Sequence, residues 1–118
     1  MGSHEDEVQS NKIRSIVAST TGGVMTEEVG SITGDLEIAT HPLAAKSIEV
    51  RVRYDGAEEW YTVKGSPIEL GKAISLSPNQ LHELHERVVR HLTTPGMVVE
   101  GNEQATSLVG FSPVASAE

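Results

Sequence analysis

The sequence predicts an α+β domain: an antiparallel sheet with one amphipathic helix, about residues 78–92, packed on one face. Three observations carry that expectation. Ile48, Val50, Val52 and Tyr54 alternate with Glu49, Arg51, Arg53 and Asp55, the two-residue period of a strand with one wet face. Asp55-Gly56 follows at once, the preferred pair for a two-residue hairpin turn that needs positive φ. Further along, Leu76-Ser77-Pro78-Asn79-Gln80-Leu81 carries the signals of a helix start, and strands gathered around a single good helix are the pattern of an α+β domain.

Residues 1–12 are polar and acidic and read as a flexible tail. From Ile13 to Gly34 the pattern is poor. Ile13, Ile16 and Val17 have helical spacing, but Ser19-Thr20-Thr21-Gly22-Gly23 stops a helix quickly, so irregular structure or a short strand fits equally. Leu36 and Ile38 alternate with Asp35 and Glu37, which predicts a strand near 35–39. The hairpin is expected over about 46–64. With a two-residue loop it sets Val50 against Tyr61 and Arg51 against Trp60. Lys64-Gly65-Ser66-Pro67 reads as a turn before a further strand near 67–70.

In the helix, Ser77 is placed to cap and Gln80, three residues on, to complete a capping box. Pro78 takes the first helical position, where a missing N–H costs nothing, and Leu76 with Leu81 can form a hydrophobic staple. Leu81, Leu84, Val88 and Leu92 fall within about 80° on a helical wheel, with His85 and His91 flanking the stripe as boundary residues. Thr93-Thr94-Pro95-Gly96 ends the helix. Strands near 97–100 and 104–110 should then flank Glu100-Gly101-Asn102-Glu103 as a second hairpin or a strand pair. The single domain is expected to span 13–111, with 112–118 a second flexible tail.

Composition narrows the functional classes. Seventeen acidic against nine basic residues give a net charge of −8, which argues against nucleic acid and anionic membranes as partners. There is no cysteine, so disulfides and cysteine chemistry are excluded, and a cytoplasmic location fits. One Trp, two Tyr and one Phe leave an aliphatic core.

The candidate sites are few. His82, His85 and Glu86, at i, i+3 and i+4, could converge on a divalent metal, although the His-Glu-x-x-His pattern of zinc proteases is absent and a fourth ligand would have to come from elsewhere, such as His41 or His4. Gly65-Ser66-Pro67-Ile68-Glu69-Leu70-Gly71-Lys72-Ala73 has the wrong glycine spacing for a phosphate loop, and Ala73 stands where a magnesium ligand is needed. No catalytic residue and no cofactor is assigned. The wet face of the hairpin is the sharper candidate. Any odd-numbered pairing sum puts Trp60 and Thr62 on the same side as Arg51 and Arg53, away from the core. Trp and Arg are the residues enriched at interface hot spots. These residues predict a small non-catalytic domain of accessory, regulatory or immunity type, working through protein contacts, with a homodimer expected. A His/Glu metal-binding protein or metal-dependent enzyme is the alternative.

Overall fold

The computed structural model describes residues 12–43, 47–70 and 76–113. The acidic segment before Lys12, the Gly71-Lys72-Ala73 stretch and the residues after Pro113 lie outside the described residues. The fold is α+β, with an antiparallel sheet and one helix packed together.

The main sheet is built from β1 (Ile13–Ala18), β4 (Asp35–Pro42), β5 (Ser47–Tyr54), β6 (Tyr61–Thr62) and β7 (Ile68–Glu69). The order is β1-β4-β5-β6, and β7 pairs the start of β5 beyond β6. Between β1 and β4 the chain leaves the sheet for a short hairpin, β2 (Val24–Thr26) and β3 (Gly30–Ile32). The predicted strand at 35–39 is therefore longer than its pattern announces. Thr40 is fully buried in its continuation, because that stretch lies between two strands and under the helix.

Helix α1 (Pro78–Leu92) has the predicted bounds and cap. The Gln80 N–H donates to Ser77 Oγ at 3.1 Å, and the Ser77 N–H donates to Gln80 Oε1 at 2.9 Å. Leu81, Leu84, Val88 and Leu92 are buried against Leu36, Ile38, Ile48, Val50, Val52 and Val63 of the sheet's inner face. His85 departs from the boundary role expected of it. It is 1% exposed and belongs to the core.

The β5–β6 hairpin differs from expectation in register and keeps its parity. Ala57 N–H donates to Tyr54 O, so Asp55-Gly56 does form a turn, with Gly56 at φ 87°. The ladder resumes only at Tyr61, opposite Val52, and Thr62 stands opposite Arg51. Glu58 and Glu59 remain exposed instead of joining it. A slip of two residues leaves every side chain on its original face. Tyr54, expected in the core, is 43% exposed at the end of its strand.

The second hairpin is tighter than expected. β8 (Val98–Val99) pairs with β9 (Asn102–Glu103) around Glu100 (φ 52°) and Gly101 (φ 84°), so the turn takes two residues, and the expected strand at 104–110 leaves the hairpin after Gln104, whose N–H donates to Met97 O at 2.8 Å. That segment clasps β2 instead. Met25 N–H donates to Thr106 O and Thr106 N–H to Gly23 O, both at 2.8 Å, while Lys64 N–H donates to Met25 O at 2.9 Å. The Arg87 guanidinium holds the carbonyls of Ser112 and Pro113, so the expected tail is anchored where it begins.

Candidate interaction site

Strand parity puts Arg14 and Ile16 of β1, Glu37, Ala39 and His41 of β4, and Glu49, Arg51 and Arg53 of β5 on the face opposite the helix. Trp60 and Thr62 share this face through the β5–β6 register. The predicted residues are thus brought together, although not as free groups. Arg53 Nε and Nη2 both lie 2.7 Å from Glu37 Oε1, and Nη1 donates to Ala57 O at 2.8 Å. Its guanidinium lies over the Trp60 ring, 4.4 Å from the centroid, and Lys12 Nζ is 5.7 Å from the same ring. The indole is therefore held by cation–π contact on a guanidinium that is itself fixed by a largely buried carboxylate. Arg51 pairs with Glu49 at 2.9 Å. Thr62 is half-buried, and its N–H donates to Glu28 Oε1 at 2.8 Å. That bond holds the Glu28 carboxyl below its ordinary pKa.

Lys12, Glu28, Glu37, His41 and Glu49 complete the face; sequence reasoning named His41 only as a spare metal ligand and did not single out Lys12, Glu28 or Glu37. The signal existed in part: Glu37 alternates with the apolar residues of its strand. Its meeting with Arg53, however, depends on the β4–β5 register, which no local pattern sets. Beside Trp60 a hollow of about 140 Å³ is lined by Lys12, Ala39, His41, Glu49 and Arg51. It is below the size of small-molecule sites and suits a single inserted side chain. His41 Nδ1 at its wall is buried without a hydrogen-bond partner among the described residues.

The three helix residues of the metal alternative do not converge. His82 pairs with Glu86 at 3.0 Å on the exposed side of the helix. His85 turns to the sheet, with Nε2 2.7 Å from Ser15 Oγ and Nδ1 3.1 Å from Thr40 Oγ1. Burial, then the charge of His82, push its pKa down to about 4. Both ring nitrogens are occupied, which removes it from any ligand set, and no group of three potential ligands occurs among the described residues. A Ser–His contact also suggests nucleophilic chemistry, but a base 1% exposed inside the core has no substrate within reach.

A second concavity, of about 790 Å³, runs between the last turns of α1 and residues 106–111. It joins segments distant in sequence, so no local motif announced it. No family model, curated protein or solved structure matches this chain.

Proposed function

We propose that this chain is a non-catalytic protein-contact domain that self-associates through the outer face of its sheet, with Trp60 at the centre. The observation that carries the reading is the chain's single indole on the solvent side of the sheet, seated on the Arg53 guanidinium. A rigid aromatic anchor beside a side-chain-sized hollow is the anatomy of an interface hot spot. The charges of the face favour a second copy as partner. Lys12, Arg14, Arg51 and Arg53 interleave with Glu28, Glu37 and Glu49, whereas the chain as a whole carries −8. A two-fold interface needs a surface complementary to itself, and a mixed face meets that need where a single-sign face would repel its copy. Such a domain would serve as an accessory, regulatory or immunity-type module, and the lack of cysteine suits the reducing cytoplasm.

Sedimentation velocity over a concentration series tests the reading. The unmodified chain should sediment as a dimer, and Trp60→Ser should shift it to monomer with an unchanged far-UV spectrum. A monomeric wild type, or a Trp60→Ser variant that unfolds, overturns it.

A further inference from the structure

We propose that the groove at the C-terminal end of α1 docks an acidic segment, bearing apolar side chains, of a second protein. One bank is formed by Arg87, Arg90 and His91 of α1, the other by Met97, Val109 and Phe111. In a chain with 17 acidic residues, no carboxylate lines it among the described residues. The basic groups are ordered before any partner arrives. Arg87 donates to Pro113 O at 2.9 Å and to Ser112 O at 2.8 Å, and its guanidinium lies 5.1 Å from the Phe111 centroid. His91 Nε2 is 2.9 Å from Ser107 O, and the ring stands edge-on to Phe111 with centroids 5.2 Å apart. Phe111 is thus fixed between two basic side chains. Arg90 is exposed, and among the described residues its guanidinium has neither a carboxylate nor a hydrogen-bond acceptor.

Basic residues in a last helical turn offset the negative end of the helix dipole, which accounts for Arg90 and His91. It does not account for Met97 at 75% and Val109 at 64% exposure alongside them. Apolar side chains next to an unpaired guanidinium fit a ligand with both characters. The flexible thioether of Met97 would adapt to an aliphatic or aromatic side chain, while Arg90 takes a carboxylate in its planar fork. The groove's volume lies within the range of ligand sites, but its exposed banks fit a peptide laid across it better than an enclosed small molecule. The chain's net charge of −8 works against an acidic partner, so binding should depend on the basic bank of this groove and fall with added salt.

The test is selection of a random 12-residue phage-displayed peptide library on the full chain, followed by anisotropy titration of the enriched peptide. The selected peptides should carry net negative charge with at least one aromatic or large aliphatic residue. Arg90→Glu should weaken the enriched peptide at least tenfold and Met97→Glu comparably, while Trp60→Ser leaves its affinity unchanged. Both groove positions are exposed, so circular dichroism should show the fold retained. No enrichment, enrichment of neutral or basic peptides, or undiminished binding to the Arg90→Glu variant would overturn the proposal. A change in the sedimentation of the chain alone on Arg90→Glu would assign the groove to a second copy and overturn it too.

Discussion

His85 puts an imidazole where a leucine would otherwise pack, and both its nitrogens are satisfied by hydroxyls of strands on either side of the β1–β4 seam. Its pKa, ordinarily 6.5, is about 4 in the fold. The unfolded chain therefore binds more protons between those values, so stability is fully present above pH 6.5 and is lost as the pH falls toward 4. The total is of the order of 3 kcal/mol. Urea midpoints should fall between pH 6.5 and 5, above the range where ordinary carboxylates titrate. His85→Leu should flatten that slope while costing about 2 kcal/mol at neutral pH, because it strands the buried Thr40 hydroxyl. A midpoint independent of pH in the unmodified protein would contradict the assignment of a neutral buried ring. Glu37 supplies a second test at this scale. Glu37→Ala leaves Arg53 without its carboxylate in a half-buried setting, which should cost about 2 kcal/mol. It should also release the guanidinium from Trp60, and the protein's one indole makes its fluorescence a direct reporter.

At the scale of elements, α1 was legible because its signals are local. Ser77, Pro78 and Gln80 act within four residues, and the observed capping box uses the predicted atoms. Ser77→Ala should lower stability by about 1 kcal/mol in chemical denaturation. The strand alternation in β5 was legible for the same reason, and its parity survived a two-residue error in the loop. What failed was long-range. The hairpin loop is lengthened where Arg53 reaches Ala57 and Trp60, and β2 is placed by residues near 63 and 106. His85 was misread because a wheel places a residue at the edge of a stripe without knowing that Ser15 and Thr40 wait opposite. The clasp around β2 depends on close backbone approach at Gly22. A Cβ there would collide with the Gln104 carbonyl, so Gly22→Ala should cost about 1–3 kcal/mol in the same denaturation measurement.

For the molecule as a whole, the two surfaces hold their basic side chains in opposite kinds of setting. On the sheet's outer face they are matched by carboxylates; at the end of α1 they are not. Of the candidate site, sequence parity reached Trp60, Arg51, Arg53 and Thr62; Glu49, which pairs with Arg51, lies in the same strand, while the Glu37 carboxylate that neutralises Arg53 comes from a neighbouring one. Hydrogen exchange should rank the elements accordingly. Amides of β4 and β5, paired on both sides in the core, should be the most protected, and those of β8 and β9, paired only with each other and exposed, the least. Equal protection in β8 and β4 would contradict that ranking.

The clasp around β2 also bears on how the chain is made. Val24 bridges Thr106, some eighty residues later, and Thr26 bridges Val63. At about 5–20 residues per second, the ribosome needs roughly 4–16 s to supply the later partner. During that interval Val24 and Ile32, both buried in the finished protein, have no complete shelter. The β2–β3 hairpin can therefore form early but lock only after α1 has been synthesised.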